Sequence, residues 1–228
     1  MYQLGLTPDW FQDIDTLFEL ISIIVTVLIA TIAYKFYRLS SEEKYKWFSL
    51  SFLLIAVGYI FKILTNFFVY NEQLITHTLG LYTYTVQYIQ EYYYIEIFGT
   101  LAFRFFMLVG LFSLYYLVNK CQDKKTIPLV LFLILITTIF STVQYFAFHL
   151  TAALILGLIV WQYSDICKKL KKTLTLCNPI VAFGVLFISQ LVFALLFLTP
   201  KIYVVAEVIQ LCGFLLLLYN YISMMWRT

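Results

Sequence analysis

Residues 97–118 read IFGTLAFRFFMLVGLFSLYYLV, twenty-two residues with a single charged side chain, Arg104. A helix rises about 1.5 Å per residue and the hydrocarbon of a bilayer is about 30 Å thick, so about 20 apolar residues suffice to cross it. This stretch is long and apolar enough to do so, and it carries a guanidinium roughly a third of the way along. Two questions follow: whether the rest of the chain is built of such segments, and what faces that arginine.

The first question is answered by repetition. Comparable segments fall at about 16–37, 47–69, 97–118, 127–146, 147–163, 179–198 and 202–222. Over the 228 residues 63% are hydrophobic, 20% aromatic and only 12% charged, with a mean hydropathy of +0.90. Soluble domains carry about 25% charge, so this chain has too few charges to cover a globule in water. The reading is all-α: a polytopic membrane protein forming one seven-transmembrane-helix bundle over residues 1–228. The boundary between the fourth and fifth spans, around Ser141 to Ala147, has almost no polar loop. Thr7-Pro8, Asn178-Pro179 and Thr199-Pro200 place a capping side chain before proline at a helix start, and Pro128 sits at the entry to the fourth span. Ser40 and Glu43 have capping-box spacing ahead of the second span.

Orientation comes from the basic residues. Lys35, Arg38, Lys44, Lys46, Lys120, Lys124, Lys125, Lys168, Lys169, Lys171, Lys172 and Arg227 fall on one face, twelve of the fifteen Lys and Arg. The positive-inside rule makes that face cytoplasmic, with the N-terminus outside, the C-terminus inside and the protein multi-pass in the cell membrane. The outer face then carries Asp9, Asp13, Asp15, Glu72 and Glu91, and a tyrosine-rich loop over residues 71–95. That loop reads as an interfacial belt or an outward extension of span three, or, more sharply, as a lid. No signal peptide or lipidation box is evident. Cys121, Cys167, Cys177 and Cys212 fit no zinc spacing and are expected to be free thiols.

Ionisable groups inside spans are expensive and mark functional positions. Lys62 and Arg104 each lie about 10 Å from the outer end of their spans and Glu207 about 7 Å, with Glu19 and His149 nearer the outer ends. Helical spacing extends these points into stripes: Tyr59 and Asn66 flank Lys62, Tyr203 and Gln210 flank Glu207, and Gln190 lies at comparable depth. Polar stripes facing lipid are unstable, so these ten residues are expected to converge in the outer half of the bundle. Three outcomes stay open. Lys62 and Arg104 could serve an anionic group of an external ligand, with Glu207 balancing them; they could pair with Glu19, Glu96 or Glu207 and only lock helices together; or both could snorkel outward.

A weak internal repeat accompanies the spans. Phe18-Glu19-Leu20 aligns with Phe148-His149-Leu150, and Arg104, Gly110 and Tyr116 have the spacing of Glu207, Gly213 and Tyr219. Three helices, a linker helix and three more would result. On span count, orientation and the ending Gly213-Phe214-Leu215-Leu216-Leu217-Leu218-Tyr219, the plan resembles opsin-like seven-helix proteins and the N-terminal seven-helix sensor regions of some histidine kinases. It departs from the first in having no lysine inside span seven, only Lys201 at its lip. It departs from the second in that no cytoplasmic domain follows within these 228 residues. A group of small sugar transporters shares the 3+1+3 plan, but its Pro-Gln loop motif is missing here.

No enzyme signature is present, whether H-E-x-x-H, G-x-S-x-G or a Walker loop, and no metal or other cofactor is expected. The expected partners are the lipid bilayer, a small or amphipathic and plausibly anionic ligand from outside, and a membrane or cytoplasmic signalling partner, with no nucleic acid. A receptor-like or sensory role leads; a small-solute transporter or a structural and assembly subunit are the alternatives.

Overall fold

A computed structural model describes residues 9–79, 82–119, 126–170, 178–196, 199 and 201–225. After a short 3-10 turn at Asp9–Phe11 come seven helices: α1 (Gln12–Ser40), α2 (Glu43–Leu79), α3 (Tyr82–Asn119), α4 (Thr126–Phe140), α5 (Tyr145–Leu170), α6 (Asn178–Ala194) and α7 (Lys201–Met225). No strand occurs among the described residues. Five apolar segments are long enough to cross a membrane: Ile14–Ser40, Glu43–Phe67, Tyr94–Asn119, Tyr145–Lys168 and Lys201–Ser223. The other two helices, α4 and α6, have 15 and 17 residues, and at about 1.5 Å per residue they reach only about 22 and 26 Å.

Polarity along α1 is inverted relative to a water-soluble helix. Asp15, Glu19, Ser22 and Thr26, on one face at helical spacing, are buried, whereas Leu17, Leu20, Ile24 and Leu28 are exposed. An apolar outer surface around a polar inner stripe suits hydrocarbon as the surrounding solvent. The helices close into a ring: α1 packs on α2, α2 on α3, α3 on α5, α5 on α6, α6 on α7, and α7 back on α1. Helix α4 lies outside this ring against α3 and α5, with Leu129, Phe132, Leu133, Ile136 and Ile139 exposed.

Two glycines mark close helix–helix contacts in corresponding places. A Cβ on Gly110 of α3 would lie 2.7 Å from Ile55 Cγ1 and 2.9 Å from the Ser51 carbonyl oxygen of α2; one on Gly213 of α7 would lie 2.6 Å from Leu186 Cδ2 of α6. Small residues let helix backbones approach where there is no hydrophobic drive to pack them.

Several sequence expectations change. The tyrosine-rich stretch is not a loop: α2 continues to Leu79 and α3 starts at Tyr82, so the backbone over 71–79 and 82–95 is helical, although the side chains of residues 68–93 lie outside the description. The fourth span ends at Phe140 instead of 146 and the fifth begins at Tyr145 instead of 147. Between them Thr142 N–H bonds back to the Ile139 carbonyl and its hydroxyl donates to the same oxygen at 2.7 Å, a local competition that ends the helix. The sixth span ends at Ala194 instead of 198. The Ser40–Glu43 capping box does not form, because Ser40 is the last residue of α1, donates to the Phe36 carbonyl, and accepts from Glu42 N–H. Ser41 then turns the chain at φ 57°, with its N–H on Tyr37 O, and α2 follows. Thr7, Pro8, Cys121 and Cys177 lie outside the described residues.

Candidate functional site

Six helices of the ring contribute to one polar layer. It sits at the end of the bundle that holds the first turns of α1, α5 and α7, and it surrounds a cavity of about 150 Å³. At about 30 Å³ per liquid water, that is the volume of about five waters. Asp15, Lys62, Asn66, Arg104, His149, Gln190, Tyr203, Glu207 and Gln210 line it, and Phe103, Met107, Phe148 and Phe193 supply apolar wall.

Lys62 is the hub of one side. Its Nζ donates to Glu207 Oε1 at 2.7 Å, to Glu19 Oε1 at 2.9 Å and to the Tyr203 hydroxyl at 3.2 Å. An ammonium has three hydrogens, so these partners use all of them. Asn66, one turn along α2, donates to Glu19 Oε1 at 2.8 Å. Glu19 Oε2 is buried with no hydrogen-bond partner. The Tyr203 hydroxyl lies 3.0 and 2.9 Å from the two oxygens of Asp15 and 3.2 Å from Glu207 Oε1, so its one hydrogen is shared among three acceptor atoms.

Arg104 answers the question posed by its sequence context differently from Lys62. Its Nη1 donates to the Ser141 carbonyl at 2.6 Å and to the Ser141 hydroxyl at 2.9 Å, in the turn that closes α4. Helix C-termini carry partial negative charge, so this is a favourable seat for a cation. Tyr145 and Phe148 rings lie 5.9 Å from the guanidinium carbon and add cation–π attraction. Among the described residues Arg104 makes no ion pair, and its Nε and Nη2 have no hydrogen-bond partner, although the residue is only 7% exposed.

A separate chain of side-chain hydrogen bonds runs from α5 through α6 and α7 to α2. His149 Nδ1–H donates to Gln190 Oε1 at 2.9 Å, Gln190 Nε2 donates to Gln210 Oε1 at 3.1 Å, and Gln210 Nε2 donates to the Tyr59 hydroxyl. The bond to an amide oxygen places the His149 hydrogen on Nδ1 and leaves Nε2 as an acceptor. Phe193 stacks on His149 with ring centroids 4.8 Å apart.

All ten residues singled out in the sequence thus fall in this layer. Lys62, Asn66, Arg104, His149, Gln190, Tyr203, Glu207 and Gln210 line the cavity, while Glu19 and Tyr59 support it from behind. Their roles divide in a way spacing did not indicate. Lys62 is held by carboxylates and is not available to an anion, and Arg104 pairs with neither Glu207 nor Glu19. Asp15, assigned from sequence to the outer surface, is 1% exposed and faces the cavity. Its spacing of one turn from Glu19 was the available signal. Ser141, Tyr145 and Phe148 carried no such mark.

Below this layer Ile55, Leu108, Leu111, Leu156, Leu186 and Phe214 are buried and packed in one apolar cluster, beside which the buried hydroxyls of Thr26 on α1 and Ser51 on α2 turn back onto carbonyls of their own helices. Polar contact resumes further along, where Gln162 Nε2 donates to Asn119 Oδ1 at 2.7 Å. No group of three or more His, Cys, Asp or Glu suited to a metal occurs among the described residues. Comparison with protein-family models, with curated proteins and with solved structures finds no match to this chain.

Proposed function

We propose that this is a seven-span, receptor-like or sensory membrane protein whose cavity opens outward and binds a small ligand through an anionic group on Arg104. One observation carries this reading: a buried guanidinium lines a cavity and, among the described residues, pairs with no carboxylate and leaves three of its N–H donors unused. Its planar fork is suited to a carboxylate held at two points. The basic helix ends, Lys35 and Arg38 on α1, Lys44 and Lys46 on α2, and Lys168 on α5, lie on the far side of the apolar cluster, which supports an outward-facing cavity by the positive-inside rule. Among the described residues the buried hydroxyls of Thr26 and Ser51 bond only to backbone carbonyls of their own helices, so no continuous side-chain hydrogen-bond track leads to that far side, which favours sensing over conduction.

The transporter reading keeps one specific support. The ring runs through α1–α2–α3 and then α5–α6–α7, with α4 outside, and Gly110 and Gly213, which correspond in the sequence comparison, each sit at a contact with the preceding helix, α3 on α2 and α7 on α6. That is the arrangement a 3+1+3 duplication would leave.

The test is calorimetric titration of acetate, butyrate and benzoate into the full chain in lipid nanodiscs, with counterflow of labelled butyrate in proteoliposomes. Saturable binding that Arg104→Gln weakens at least about tenfold, or about 1.4 kcal/mol, is expected, without counterflow. Absence of saturable carboxylate binding by folded protein refutes the ligand site, and counterflow moves the assignment to transport.

A further inference from the structure

The cavity holds two buried ionisable groups of opposite sign, neither in an ion pair among the described residues. Arg104 is one. Asp15 is the other: at 1% exposure it accepts only the Tyr203 hydroxyl, and among the described residues no basic group is paired with it. A carboxylate offers about four lone-pair sites, so most of the acceptor capacity of Asp15 is unused. The surroundings do not make up the difference. Asp15, Glu19 and Glu207 are three carboxylates gathered round one ammonium, Lys62, and the single hydrogen of Tyr203 is already divided between Asp15 and Glu207. That side of the cavity therefore has an excess of acceptors and of negative charge, while the Arg104 side has an excess of donors and of positive charge. Leaving buried charges unpaired is costly, and each pole can be relieved by a complementary group.

We infer that the cavity takes a small zwitterion, with its carboxylate on Arg104 and a primary ammonium on Asp15 beside Tyr203. The inference rests on the ligand-site reading above and adds the second charge. An ammonium at Asp15 would supply hydrogens that the Tyr203 hydroxyl cannot, and a carboxylate at Arg104 would accept from Nε and Nη2. The apolar wall of Phe103, Met107 and Phe193 suits a short hydrocarbon body between the charged ends. A cavity of about 150 Å³ is on the scale of a small amino acid.

Wild-type protein in nanodiscs tests this without any variant. Glycine, β-alanine, 4-aminobutyrate and 5-aminovalerate are titrated alongside acetate, propionate, butyrate and valerate and alongside methylamine, ethylamine, propylamine and butylamine. One of the amino acids is expected to bind at least about tenfold more tightly than both the carboxylate and the amine of matching length. Asp15→Asn should then bring the amino acid and the carboxylate to within about threefold of each other. A carboxylate that binds as tightly as every amino acid overturns the zwitterion and leaves the Arg104 site standing. An amine that binds as tightly overturns it as well, since the acidic side would then act alone. If folded wild-type protein binds none of the probes, both readings fall together.

Discussion

Replacing Lys62 with methionine is the most direct probe of how the charged layer is held. Lys62 contacts Glu207 at 2.7 Å and Glu19 at 2.9 Å, and its side chain is 19% exposed. Removing it leaves Asp15, Glu19 and Glu207, each no more than 2% exposed, facing one another with no ammonium between them. Breaking a buried pair by deleting one partner costs about 3–5 kcal/mol, most of it the uncompensated charge left behind. At about 2–4 °C per kcal/mol for a chain of this size, Tm should fall by about 6–20 °C. Thermal unfolding of Lys62→Met in micelles of fixed composition, followed by circular dichroism, measures this. The reasoning makes a second demand: the triple variant Lys62→Met, Glu19→Gln, Glu207→Gln should be less destabilised than Lys62→Met alone, because neutral amides no longer repel. A loss below about 1 kcal/mol in the single variant, or no recovery in the triple, would refute the claim that these charges are mutually dependent.

Two further predictions concern packing and bonding. Gly213→Val should lower stability by about 1–3 kcal/mol, because any Cβ there meets Leu186, whereas Gly184→Ala, with open space around it, should be neutral or stabilising by up to about 1 kcal/mol; Tm of the two variants decides. Tyr203→Phe removes the only hydrogen bond Asp15 receives among the described residues and should cost about 1.5–3 kcal/mol in the same assay, with less than about 0.5 kcal/mol counting against the site as drawn.

Arg104 and Lys62 show how far linear reasoning reaches. Both are single cations at similar depth in apolar spans, and although Lys62 has Tyr59 and Asn66 on its face, the neighbouring residues do not say what either cation meets. Their partners do: Lys62 meets Glu207, 145 residues away, and Arg104 meets Ser141, whose significance is invisible until the α4–α5 turn brings its carbonyl and hydroxyl to the guanidinium. The same limit placed Asp15 at the surface, since a carboxylate three positions into a helix reads as a solvated first turn until α7 is packed across it.

The amino-acid sequence by itself determined the all-helical class, the length and apolarity of the membrane-crossing segments, and which side chains share a helical face, because these depend on composition and on a fixed rise and period along one chain. It also marked ten polar residues that fall in the buried layer, though not Asp15, since charge in an apolar run is costly enough to be informative wherever it occurs. Which partner each cation meets, which helix is left outside the ring, and which two ionisable groups line the cavity without an ion pair among the described residues were decided only by tertiary structure. Periodicity states the face a residue occupies, and only the packing of helices distant in sequence states what stands opposite.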